Sequence, residues 1–288
     1  MLLSTFTGNN GIKESLLGAL ASGRLSHGLL LCGEKGMGVN YFALLLAADI
    51  IGSTDIDGIT AGKSPLVQIV RGEGASGLIR VDKIRQINEN VSYSSINGEK
   101  RVIIIENCEN FNQNSANALL KNLEEPKDDI TYILTTTNAR SILATIRSRC
   151  AVYTLTAPTR RQTLDYFCSQ GSDIQAVESL MAVYGENIGK ISSALNSEKR
   201  YAVLQDAVTL FDYISKEDTY QAARLCYGYN KRKDDLKMMM DDLRDICHRN
   251  LSEKSIQAIN TVQKYTEILQ MNVNLNLMIE NFAVEITK

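Results

Sequence analysis

Hydrophobic positions in the first half of the chain follow two rhythms. Residues 29–32, 67–70, 102–105 and 131–135 are short runs, apolar or β-branched, of the kind that form buried strands. Between them lie longer stretches with helical spacing, such as Val81, Ile84, Ile87 and Val91. Alternation of this kind predicts a parallel sheet wrapped by helices. Leu2 to Ala21 reads as an opening helix, Tyr41 to Ala48 as the helix after the first strand, and Ile51 to Ser64 as a polar, glycine-containing insertion.

The rhythm changes near Pro158. Thr159-Arg160-Arg161-Gln162 is a capping box, with Thr159 as N-cap and Gln162 reaching back to it. Beyond it no strand is expected, and 160–169, 173–184, 187–195, 199–214, 218–228, 232–251, 253–270 and 272–286 read as helices. The fold class is therefore α/β followed by all-α, with the change near Pro158.

Candidate chemistry begins after the first strand. Gly33-Glu34-Lys35-Gly36-Met37-Gly38-Val39-Asn40 has the glycine spacing of a phosphate-binding loop, G-x-x-x-x-G-K-[S/T]. Val39 stands where the lysine belongs and Asn40 where the hydroxyl belongs. Such a loop can still aim backbone N–H groups at an anion. It lacks the cation for the β- and γ-phosphates and the side chain that holds Mg²⁺. The third strand ends in Glu106-Asn107, where a nucleotide triphosphatase of this layout keeps an acidic pair. Asn107 cannot take up a proton and cannot be a general base. An architecture for ATP thus appears without the groups that hydrolyse it.

Two further motifs stand out. Asn112 to Pro126 places Ala116, Leu119, Leu120 and Leu123 on one helical stripe, and Pro126 blocks continuation. Glu124 and Glu125 then sit at the negative end of the helix dipole, at a cost of a few tenths of a kcal/mol; a solvated helix end is the plainer explanation. Ser148-Arg149-Cys150 lies in a stretch from Arg147 to Leu164 that holds Arg147, Arg149, Arg160 and Arg161 and no acid. Arginine's planar fork suits phosphate, and a patch with no acid nearby in sequence can serve a ligand or partner in trans; a solvated basic edge carries equal weight. His27 reads as packing beside the first strand, and neither it nor His248 has metal-ligand company. Lys63, Arg80, Lys83 and Arg85 fit a DNA contact or an exposed helix face equally. Met238 to Met240 read as core or interface filler.

Composition narrows the classes. Net charge is −2, which argues against a general nucleic-acid coat, so any DNA contact must be local. The six cysteines are scattered with no C-x-x-C pair, which argues against zinc and fits reduced thiols in a cytoplasmic protein. No signal peptide or membrane-length apolar run is expected.

Four segments together resemble the clamp-loader subunits of the AAA+ class: Ser26 to Gly33, Arg80 to Ile87, Asn117 to Pro126, and Thr145 to Cys150. Asn272 to Glu280 is similar to the end of that family's collar. The glycine loop alone is unspecific; the helix ending in Leu-Glu-Glu-Pro together with Ser-Arg-Cys is specific. Within the family the chain is similar to bacterial delta-prime subunits, which keep Ser-Arg-Cys while often losing a working loop. It departs from the family in lacking a four-cysteine zinc module in the 51–66 insertion.

The resemblance implies an AAA+ domain over 1–157, a helical lid over 158–198 and an oligomerising collar over 199–288. It implies no bound cofactor and no metal, with Gly33, Gly36, Gly38, Val39 and Asn40 as the degenerate loop. It implies gamma/tau-type and delta subunits as partners, with the sliding clamp and primed DNA reached through a five-membered ring and no membrane contact. Arg149 would reach a neighbour's γ-phosphate as an arginine finger. Lys190 falls at the second-sensor position, with a structural role. Two alternatives remain: an active gamma-type ATPase using a displaced Lys35, and, remotely, a small-molecule P-loop kinase.

Overall fold

The computed structural model describes residues 1–74, 77–85, 99–126, 129–271 and 273–288. They divide into two compact units, Met1–Thr163 and Leu164–Lys288.

The first unit is a five-stranded parallel sheet of β1 (Gly28–Cys32), β2 (Val67–Val70), β3 (Arg101–Ile105), β4 (Ile130–Thr136) and β5 (Ala151–Thr154), in the order β2-β3-β4-β1-β5. Its helices are α1 (Asn10–Ala21), α2 (Val39–Ile51), α3 (Ile56–Thr60), α4 (Gln113–Glu124) and α5 (Ala144–Arg147). The strands alternate faces with period two. Leu29, Leu31, Val102, Ile104 and Ile133 pack on one side with Phe42, Leu45 and Leu46 of α2. Leu30, Ile103, Ile105, Tyr132 and Leu134 pack on the other with Ala116, Leu119 and Leu123 of α4. Both faces are covered, which is why β1 and the middle of β3 and β4 are runs of apolar residues.

Three expectations change here. The opening helix is broken: a 3₁₀ turn covers Leu2–Thr5, and α1 begins only at Asn10. Gly8 and Asn9 between them have φ of 79° and 53°, which a right-handed helix cannot contain. The Asn9 amide holds the Thr156 backbone at both ends, donating to its carbonyl at 3.0 Å and accepting its N–H at 2.9 Å. The sheet also has a strand that the hydrophobic pattern did not announce. β5 is an edge strand with half-exposed residues, and Val152 is 47% exposed, so its sequence lacks a continuous apolar run. The insertion contains α3, capped by Asp55. Of the helix expected over 81–91, residues 81–85 are helical, while Ile87 and Val91 lie outside the described residues.

The second unit is helical. It comprises most of α6 (Arg160–Ser169), then α7 (Ile174–Tyr184), α8 (Ile188–Leu195), α9 (Glu198–Ser215), α10 (Thr219–Tyr227), α11 (Lys233–Arg249), α12 (Glu253–Gln270) and α13 (Leu275–Ile286). The capping box forms at the start of α6: Thr159 N–H donates to Gln162 Oε1 at 2.9 Å, and Gln162 N–H to Thr159 Oγ1 at 3.3 Å. Leu236, Met239, Met240, Leu243 and Phe282 form the centre of the larger core. Leu204 of α9 joins Val177, Leu180 and Ile191 in the smaller one, so the expected lid segment and the first collar helix share apolar contacts. Arg200 of α9 reaches the same junction, bonding Asp242 with both terminal nitrogens and the Tyr184 hydroxyl at 2.8 Å.

Candidate functional site

The glycine loop closes over the C-terminal ends of β1, β3 and β4, where parallel sheets of this type place their ligands. Gly36 and Gly38 have φ of 93° and 73°, so both positions need glycine. Gly33 has no room for a side chain: an added Cβ would lie 2.8 Å from Val39 Cγ2. Val39 is buried in the apolar cluster under α2, so the lysine position is filled by a methyl-bearing side chain packed inward.

The neighbouring polar positions are engaged within the protein. Asn40 Oδ1 accepts from Thr135 Oγ1 at 2.6 Å. The same Thr135 oxygen accepts the Asn107 N–H at 3.1 Å. Asn107 has a left-handed backbone (φ 57°) and starts the 3₁₀ turn Cys108–Asn110. Glu106 is 7% exposed and is held by a two-pronged Arg71 fork: Nε donates to Oε2 at 3.0 Å and Nη2 to Oε1 at 3.2 Å. A magnesium nucleotide needs a lysine, a hydroxyl and a free carboxylate here. This set offers a valine, an amide tied to Thr135, and a carboxylate neutralised by a guanidinium. The residues present do not fit that group.

Sequence reasoning missed Arg71 and Thr135. A signal existed: β2 and β3 pair in register from Val67↔Val102 to Val70↔Ile105, so one residue further puts Arg71 beside Glu106. The phosphate-loop pattern directs attention to α2 and β3, not to the edge strand.

The second candidate site is where Ser148-Arg149-Cys150 meets the end of α4. Arg149 Nη2 lies 2.7 Å from Glu124 Oε1, and Nη1 donates to the Thr145 carbonyl at 2.9 Å. No acid lies near Arg149 in sequence, yet one stands beside it in space. The acid arrives from the Leu-Glu-Glu-Pro motif, remote in sequence and adjacent in space. The same pair offsets the cost of Glu124 at the helix C-terminus. His27 also serves that end: its Nε2, in the tautomer that carries a proton there, donates to the Leu123 carbonyl at 3.1 Å. Gly28 packs between the two motifs, since a Cβ there would lie 3.1 Å from the Arg149 carbonyl, 3.3 Å from Cys150 Sγ and 3.3 Å from Leu123 Cδ2. Burial pushes the Cys150 thiol up to about 11. The side chains of Arg149 and Glu124 are 35% and 48% exposed, so the fork remains within reach of an incoming group.

Other candidates resolve simply. Lys190, in the second unit, is ion-paired with Asp245 and passes over the Tyr184 ring. Lys83 is bonded to Glu73 at 2.9 Å and to the Arg71 carbonyl at 2.8 Å. Met239 and Met240 are fully buried core. Among the described residues no cluster of His, Cys, Asp and Glu could hold a metal ion. No helix among them is long and apolar enough to cross a membrane.

Comparison with known proteins shows the family. Residues 8–159 match the family described as "DNA polymerase III, delta subunit". A DNA polymerase III gamma subunit of Buchnera aphidicola is 28% identical over 66% of this chain and 55% of its own length. A delta' subunit of Pseudomonas aeruginosa is 30% identical over 56% of this chain and 53% of its own. The chain thus spans about half the length of these two relatives. A gamma subunit-related protein of Thermotoga maritima shares the fold at a TM-score of 0.56, with 20% identity over 94% of this chain and 98% of that one. On the match over its first unit, with relatives of both the gamma and the delta' kind, the chain belongs to the DNA polymerase III delta-subunit family of bacterial clamp loaders.

Proposed function

We propose that this chain is a delta-prime-like subunit: a non-hydrolysing member of the clamp loader that supplies Arg149 to a nucleotide held by a neighbouring subunit. The observation that carries the reading is the remade nucleotide site, in which Val39, the Asn40–Thr135–Asn107 chain and the Arg71–Glu106 fork stand where an ATPase keeps its lysine, hydroxyl and acids. Relatives of the gamma and tau kind match as well as those of the delta' kind, so sequence likeness alone does not choose between the roles. The chemistry of the loop supports the delta-prime role.

In this role the chain binds no nucleotide of its own. It works in the cytoplasm beside gamma/tau-type and delta subunits, and meets the sliding clamp and primed DNA through the assembled ring. Its three parts are an AAA+ domain over 1–157, a lid over 158–198 and a collar over 199–288. Arg149 stabilises charge on the transferred phosphate, a task worth about 10³–10⁵ in rate for arginine fingers. The test is steady-state ATPase on the pure chain, with turnover near or above about 1 s⁻¹ counting against the reading.

A further inference from the structure

In P-loop nucleoside triphosphatases an acid at a strand end takes part in holding the divalent cation; here Glu106, at the end of β3, is bound by a side chain of the protein itself. We propose that Arg71 is a built-in counter-ion that replaces the divalent cation at Glu106. This deepens the non-hydrolysing reading and rests on it.

The arrangement follows from the strand ladder upward. Val70 pairs with Ile105, and Glu106 N–H donates to the Val70 carbonyl at 3.0 Å. The next residues, Arg71 and Glu106, are therefore cross-strand neighbours, with side chains on the same face. The guanidinium meets both carboxylate oxygens, at 3.0 and 3.2 Å, the planar geometry that only arginine offers.

The backbone is built to hold it. Lys83 Nζ donates to the Arg71 carbonyl at 2.8 Å and is paired to Glu73 at 2.9 Å, so Arg71 is fixed from behind. Gly72 permits a close backbone approach, since a Cβ there would lie 1.6 Å from the Gly77 carbonyl oxygen. Glu73 N–H donates to the Leu78 carbonyl at 3.0 Å.

The electrostatics explain why such a replacement is needed. The Glu106 side chain is 9% exposed. A buried carboxylate requires a compensating charge, and removing the cation paired with it is costly. In an ATPase the cation arrives with the nucleotide. Here the compensating charge is covalently part of the chain, so Glu106 is paired without a bound nucleotide.

The test uses the full chain and Mn²⁺ alone as probe, followed by water-proton relaxation. Wild type should show no more than weak surface binding. Arg71→Ala, or Arg71→Gln if the shorter side chain impairs folding, should bind Mn²⁺ at least ten-fold more tightly and melt at a lower temperature. Saturating Mn²⁺ should restore at least half of that loss. The double variant Arg71→Ala/Glu106→Gln should bind as weakly as wild type. Single variants that bind no tighter than wild type, or a double variant that binds as well as the single one, would overturn the proposal. ATP hydrolysis by wild type would instead sink the non-hydrolysing reading, so the two can fail separately.

Discussion

Arg149 Nη2 and Glu124 Oε1 meet at 2.7 Å, and this contact joins the two motifs that define the chain's most specific corner. Glu124 is the last residue of α4, and Arg149 lies two residues beyond the end of α5. Gly28 packs against the Arg149 carbonyl, Cys150 and Leu123 of the same two motifs. A guanidinium held on one side by a carboxylate and on the other by the Thr145 carbonyl is oriented before any partner arrives. Preorganised charge of this kind is what favours a transition state over a ground state.

Arg149→Ala should leave the chain folded and able to assemble, and should lower the DNA-stimulated ATPase of a reconstituted loader by at least ten-fold. The residue is partly exposed, and substitutions at such positions usually change stability by about 0.5 kcal/mol or less. Unchanged ATPase in an intact assembly would reduce Arg149 to a solvated edge. Arg149→Lys keeps the charge and loses the fork, so absence of rescue would identify a directional phosphate contact.

The Arg149–Glu124 pair itself should contribute little to stability. Both side chains are more than a third exposed, and exposed pairs are typically worth about 0–1 kcal/mol. A double-mutant cycle of Arg149→Ala and Glu124→Ala by urea unfolding should give a coupling in that range. A coupling of several kcal/mol would make the contact a structural joint.

The Ser-Arg-Cys thiol should resist alkylation in the native chain. Burial raises the Cys150 thiol to about 11, whereas Cys168 is exposed. Iodoacetamide at pH 8 followed by mass mapping should label Cys168 first. The sign for stability follows. A thiol whose pKa is higher folded than unfolded keeps its proton longer in the native state. Its contribution is complete below the unfolded value near 8.5 and declines as pH rises towards the folded one. Rapid labelling of Cys150 at pH 8 would contradict the burial of this corner.

How much of this was legible in sequence depends on distance along the chain. The four apolar strands were visible because both sheet faces are covered, leaving no polar alternation to interpret. β5 was hidden because none of its four residues is fully buried, so its sequence carries no run of core residues. Val39 and Asn40 were readable as losses from a known spacing. Their compensation was not, because Thr135 and Arg71 come from other strands and only the register brings them in. Arg149 looked unpaired for the same reason: its acid is near only once α4 has packed.

The buried cluster in the second unit should be the costliest polar site to break. Asp242 is 1% exposed; it accepts from the Tyr184 hydroxyl at 2.9 Å and from both terminal nitrogens of Arg200, whose side chain is 13% exposed. The three residues come from α7, α11 and α9, so they tie the segment read as the lid to the one read as the collar. Asp242→Ala would leave the guanidinium buried without its carboxylate, which typically costs about 3–5 kcal/mol. Removing all the polar groups together, as Tyr184→Phe/Arg200→Met/Asp242→Leu, leaves no orphaned charge and should cost less than the single change despite altering more atoms. Urea unfolding of the two variants decides the matter. A single variant as stable as wild type would mean that water reaches the site and screens Arg200. A triple variant less stable than the single one would mean that packing around Tyr184, and not charge, holds the junction.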